Sequence, residues 1–343
     1  MKAIVFDHHG GIEVLKYREI PEPEIRESEV LIQVKACALN HLDIWTRQGL
    51  PGIQIPLPHI LGCESAGVVE KAGSQVRNVK VGDSVLIAPG VFCGHCEFCR
   101  RGRESLCAEF QIMGFQVNGG YAEYVTAPAR NAIQISTQKL SFEEWAATPL
   151  CFLTAYHMLF TRGQIQKGER VLIQAAGSGV GSAAIQLAKH AGAFVITTAG
   201  NEEKLKKAKK LGADEGINYA KEDVVNQVKR LSRGKGVDLI LDHVGPATWS
   251  QMMASLAKGG RLVTCGATTG REVQLDLRLF FTRELSVSGC YMGASQELKK
   301  VLQWIKQGKV KPVIDSVFPL QEAAKAQEKM EYRDCFGKLV LRP

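Results

Sequence analysis

The chain has 343 residues, 45% hydrophobic and 23% charged, the composition of a globular protein. One hydrophobic core stops growing near ~250–300 residues, so the length predicts two domains, and no apolar run approaches the ~18 residues of a membrane span. The formal net charge of +8, from 43 Lys and Arg against 35 Asp and Glu, points to nucleic acid only if the bases cluster with aromatics between them, and they do not.

Up to about residue 140, short β-rich runs (30–34, 67–70, 84–87 and 121–125) are punctuated by Pro21-Glu22-Pro23 and Leu50-Pro51-Gly52, which predicts an all-β, barrel-like unit. An acid and two histidines, Asp7, His8 and His9, interrupt the N-terminal stretch before a signal-peptide core forms, so the expected location is cytoplasmic. From about Phe142 apolar strands alternate with helices. Strand starts at Val171, Phe194, Gly216, Val237, Arg261 and Ser286 describe a doubly wound parallel sheet. The tail predicts a helix over 298–307, a strand over 313–318, a helix over 323–331 and a strand over 338–341. The expected division is 1–151, 152–289 and 290–343, with a turn-rich excursion at about 91–110.

Ten cysteines in a chain able to bury a proper core favour metal or redox chemistry over disulfides. Cys93, Cys96, Cys99 and Cys107 form a C-x2-C-x2-C-x7-C cluster within that excursion. Four thiolates suit tetrahedral zinc and leave no open position for substrate, so the expected metal is structural. His95 reads as a spacer between two ligands.

A second motif runs from the strand at Val171 through Ala176-Gly177-Ser178-Gly179-Val180-Gly181 into a helix. Backbone N–H groups of such a turn hold a pyrophosphate, and Gly177, Ser178, Gly179, Val180 and Gly181 are the expected contacts. One strand later, a carboxylate at the tip would bind the ribose hydroxyls of NAD. Thr198-Ala199-Gly200-Asn201 has none. Thr198, Gly200 and Asn201, with Lys204 from the next helix, can instead donate to a 2′-phosphate, which favours NADP(H) over NAD(H). The other lysines, Lys206, Lys207, Lys209 and Lys210, alternate with Leu205, Ala208 and Leu211 as the solvated face of an amphipathic helix.

Taken together, these motifs, with Gly62-Cys63-Glu64-Ser65-Ala66-Gly67-Val68-Val69 and the closing Gly337-Lys338-Leu339-Val340-Leu341, resemble the medium-chain dehydrogenase/reductase superfamily over essentially the whole chain. The resemblance implies an α/β fold: a Rossmann doubly wound parallel sheet plus a GroES-like β-rich catalytic domain, built from both chain ends, with a structural zinc lobe. It also implies a homodimer or homotetramer acting on a small-molecule carbonyl, alcohol or quinone, with no nucleic-acid or membrane partner. His41 and Lys338 fall where the family places cations against the pyrophosphate, Thr154 where a threonine faces the nicotinamide, and Tyr219 where a tyrosine lies near the adenosine phosphate of NADP-dependent members.

The catalytic-zinc positions of the alcohol dehydrogenase branch are altered. The first ligand cysteine falls on Asn40, the histidine on Cys63, and the last cysteine on Leu150 or, with a gap, Cys151. The run Asn40-His41-Leu42-Asp43 looks like the N-x-x-D of quinone reductases. The leading expectation is therefore an NADP(H)-dependent quinone or enone reductase that works by positioning, with Asn40, His41 and Asp43 shaping the nicotinamide end. Two alternatives stay open: a zinc alcohol dehydrogenase with a second zinc near Cys63, Glu64 and Cys151, and a non-enzymatic NADPH-binding structural or regulatory protein.

Overall fold

A computed structural model describes residues 1–343. The chain forms two compact units, one of residues 1–150 and 312–343, the other of residues 151–311.

The first unit is a seven-stranded sheet around a dense apolar core that includes Val30, Ile32, Leu61, Val85, Leu339 and Leu341. Its longest strand, Glu29–Ala38, pairs antiparallel with Glu64–Ala72 and with Tyr124–Pro128. Alternate residues of such a strand point to opposite faces, and burial of Val30, Leu31 and Ile32 at one end and of Ala36, Cys37 and Ala38 at the other shows that both faces are covered there. The last strand, Lys338–Arg342, joins the edge of Glu29–Ala38 away from Glu64–Ala72, beyond Tyr124–Pro128, with Val340 against Ala38 and Leu341 against Cys37. Both chain ends thus build one sheet. Ala38 lies opposite Glu64 in the neighbouring pair, which brings Glu64 and the start of the last strand to the same end of Glu29–Ala38.

The second unit is a six-stranded, all-parallel sheet. Its central strand Arg170–Ile173 has Phe194–Ala199 on one side and Val237–Asp242 on the other. The order reverses at that strand, and ligands of open α/β sheets bind at the carboxyl ends beside such a reversal. Val171, Leu172 and Ile173 are fully buried, the continuous apolar run of a strand covered on both faces.

Two boundaries differ from the sequence expectation. Residues 121–123 lie outside the strand Tyr124–Pro128, because Tyr121 bonds Leu61 and Ile4 and Ala122 bridges Ala3 instead. The return to the first unit begins at Pro312 and not at residue 290. The helix Ser295–Lys306 buries Leu298, Val301, Leu302 and Ile305, and its Trp304 packs on Tyr156, Phe160 and His190 of the second unit. Hydrophobic packing, invisible to spacing alone, assigns the helix.

Candidate active site

The short helix His41–Gln48 begins directly after the long strand, with Asn40 at its N-terminal boundary. The Asn40 amide joins a buried ion pair. Lys338 Nζ lies 2.7 Å from Asn40 Oδ1 and 2.5 Å from Glu64 Oε2, and Asn40 Nδ2 donates to the same Glu64 oxygen at 3.1 Å. The second Glu64 oxygen accepts the Leu150 backbone N–H. Glu64 is 0% exposed and Lys338 4%, so each charge depends on the other.

Asp43, 0% exposed, forms the second half of the site. Its carboxylate accepts the backbone N–H of Asn40 at 2.7 Å and of Gly62 at 3.1 Å, and the Tyr121 hydroxyl at 3.2 Å. The Cys63 thiol stands 3.8 Å away. Burial pushes the Asp43 carboxyl up to about 6, against the N–H donors and the Lys338 charge that pull it down. Burial likewise raises the thiols of Cys37 and Cys63 above the ordinary range, so both are neutral thiols at pH 7. His41, the first residue of the helix, is half-buried, with its ring 6.3 Å from that of Trp45.

Two of the expected site groups have partners within this unit. The Lys338 ammonium is committed to Glu64 and Asn40. One Glu64 carboxylate oxygen holds the Lys338 cation and the other accepts an amide N–H, while burial raises the Cys63 thiol well above its ordinary range. Cys151 is buried in the helix Pro149–Tyr156. The sets of three or more Cys, His, Asp or Glu ligand atoms that gather within 4.8 Å of one another lie in the excursion at 93–109.

There the cysteines meet the requirement. The Sγ atoms of Cys93, Cys96, Cys99 and Cys107 lie within 4.8 Å of one another, with Cys93 3.6 Å from Cys107 and 3.8 Å from Cys99. Tetrahedral zinc with bonds of about 2.3 Å separates its sulfurs by about 3.8 Å. Backbone N–H groups of His95 and Cys96 lower the Cys93 thiol, favouring the thiolate that a metal needs. A hairpin of Gly90–Val91 with Gln111–Ile112 carries this lobe out of the main sheet.

In the second unit, Ser178 caps the helix Gly179–His190: its Oγ accepts the Gly181 N–H at 2.8 Å and lies 3.1 Å from His243 Nε2. A Cβ at Gly181 would stand 2.3 Å from the Ala175 carbonyl, so only glycine lets the helix ride on the turn. This strand, turn and helix N-terminus at the sheet's reversal suit a pyrophosphate. Asp242, which sequence reasoning missed, ties three strand ends together. It accepts Gln174 Nε2 at 2.5 Å, Thr264 Oγ1 at 3.2 Å and the Val244 N–H at 3.1 Å. Burial raises its pKa and pushes His243 down to about 4, so that imidazole is neutral.

The expected 2′-phosphate residues divide. Thr198 is buried and its Oγ1 accepts the Ala175 N–H at 3.2 Å, bracing the turn. Asn201 Oδ1 caps the helix Glu202–Lys210 through the Lys204 N–H at 2.9 Å. Tyr219 is exposed, with its hydroxyl 2.9 Å from where a Gly200 Cβ would sit, so Gly200, Asn201, Lys204 and Tyr219 cluster at one strand tip. Thr154 is buried in its helix, its carbonyl 4.0 Å from the Cys290 thiol.

Comparison with known proteins agrees with this architecture. A family described as alcohol dehydrogenase GroES-like domain matches residues 26–137, and one described as zinc-binding dehydrogenase matches residues 179–307. An alcohol dehydrogenase of Geobacillus stearothermophilus is 33% identical over 100% of this chain and 99% of its own length. The quinone oxidoreductase of Homo sapiens is 30% identical over 99% of this chain and 97% of its own. A solved structure of an NAD-dependent alcohol dehydrogenase superposes with a TM-score of 0.96 at 45% identity, over 100% of both chains. The chain belongs to the medium-chain dehydrogenase/reductase superfamily and is an NAD(P)-dependent oxidoreductase.

Proposed function

We propose that the protein is an NADP(H)-dependent reductase of quinones, enones or similar activated carbonyls. The observation that carries this reading is the commitment of Asn40 and Glu64 to the Lys338 ammonium. It replaces a potential metal-ligand set with a buried, charge-balanced network. A nicotinamide supplies the hydride, and this chain's residues supply position. Gly177, Ser178, Gly179, Val180 and Gly181 hold the pyrophosphate, with Thr154 and His41 as further cofactor contacts. Gly200, Asn201, Lys204 and Tyr219 receive the 2′-phosphate. Asn40 and Asp43 fix the nicotinamide end, and the final proton comes from water. The Cys93, Cys96, Cys99 and Cys107 lobe takes one structural zinc.

The runner-up is an NAD-dependent alcohol dehydrogenase, favoured by relatives bearing that name. One experiment separates them: kcat/KM for NADPH and NADH against a panel of quinones, enones and aldehydes, with zinc counted on the same sample. The proposal expects about one zinc per chain, NADPH preference and activity on quinones or enones. About two zincs with NADH-driven aldehyde turnover would favour the runner-up.

The reading includes a homodimer or homotetramer. Strand Ser286–Gly289 closes the parallel sheet as an unpaired edge, and Val287 within it, Tyr291 just after it, and Leu277 and Phe281 in the preceding helix Leu277–Thr282 are exposed. An open edge flanked by apolar side chains is a pairing surface for another copy. No helix is long and apolar enough to cross a membrane.

A further inference from the structure

Behind the site, the helix His41–Gln48 faces the helix Ala323–Glu331 through a polar layer inside an apolar core. Asp43 and Arg47 are four residues apart on one helix, Gln327 and Glu331 four apart on the other, so each pair lies on a single helix face. The outer rung is the ion pair of Arg47 Nη2 with Glu331 Oε1 at 2.5 Å, Glu331 being 31% exposed. The inner rung is Asp43 with the Tyr121 hydroxyl, and the Gln327 amide lies beside that hydroxyl without closing a bond of ordinary length.

Four polar atoms of the two helices are buried without a hydrogen-bond partner: Arg47 Nε and Nη1, and both ends of the Gln327 amide. Arg47 is 1% exposed and Gln327 0%. A buried donor or acceptor left unsatisfied is destabilising, a charged one more so, and four such atoms on facing helices call for partners. The guanidinium donates only and the amide both donates and accepts, a combination that water matches from either side.

We propose that this layer is an internal water-binding site, in which solvent held by Arg47 and Gln327 links the Tyr121–Asp43 pair to the Arg47–Glu331 ion pair at the surface. Internal waters make about three hydrogen bonds each, so four orphan atoms plus the Tyr121 hydroxyl call for on the order of two molecules. The inference is independent of substrate and cofactor and stands or falls apart from the functional reading.

A high-resolution crystal structure of the full chain tests it first. Ordered water within hydrogen-bond distance of Arg47 Nε or Nη1 and of the Gln327 amide is expected. A dry layer, or Gln327 closed directly on Arg47, overturns the proposal. The sign of one substitution tests it again. In a hydrated layer Gln327→Leu strips partners from the water and lowers Tm by about 2–4 °C, whereas in a dry one it removes an unsatisfied amide and raises Tm. A raised Tm overturns the proposal even without crystals. If the variant does not fold, the crystal structure of the unaltered chain decides.

Discussion

At the scale of single residues, the site turns on two buried charges. The Asp43 carboxyl titrates near 6 in the folded chain against 3.8 for the ordinary side chain, so the native state holds a proton that unfolding releases. Its stabilising contribution is therefore full below about pH 4 and lost as pH rises through about 6. Asp43→Asn should flatten this part of the profile: denaturant unfolding at a series of pH values should show the unaltered chain losing about 2 to 3 kcal/mol relative to the variant as pH rises from 4 to 7. Parallel curves across that window would contradict the raised value. Lys338→Met leaves Glu64 buried without its cation and should cost about 3–5 kcal/mol, read as a fall in the unfolding midpoint. The sequence reading named Asn40, Asp43 and Lys338 as candidates but gave Lys338 a role apart from Asn40, because their meeting at 2.7 Å depends on the first and last long strands pairing across the chain.

At the scale of elements, the two motifs differ in how much the chain dictates locally. The zinc lobe is closed by ligands between 93 and 107, so the spacing already contained the geometry. Cys107→Ser should lower zinc from about one per chain towards none and open residues 91–112 to limited proteolysis while the rest of the chain stays folded. The glycine-rich turn was legible as strand, turn and helix. The need for glycine at 181 was not, since it comes from the Ala175 carbonyl beneath it. Gly181→Ala should cost about 1–3 kcal/mol through that contact and weaken nicotinamide-cofactor binding in fluorescence titration. Thr198 shows the limit of such local reading. Its position at the strand tip suggested a phosphate donor, but burial turned its hydroxyl to the turn's backbone.

At the scale of the molecule, the exposed edge strand makes a prediction about assembly. Phe281→Glu with Val287→Lys should shift the light-scattering mass towards the monomer and leave zinc content unchanged, because these side chains lie outside both cores. An unchanged mass would remove this edge from the interface. What the sequence by itself determined is the set of local patterns. Apolar periodicity, cysteine spacing and turn glycines act over a few residues, and they specified the β-rich unit, the six parallel strands, the four-cysteine lobe and the glycine-rich turn. Only the tertiary structure decided which distant residues share a buried environment. Glu64 with Lys338, Asp43 with Tyr121, Asp242 with Gln174 and Thr264, and the helix Ser295–Lys306 with the parallel-sheet unit are such cases. The physical reason is that a buried charge or polar group finds its partner across strands paired at long range, and no local pattern records which strands will pair.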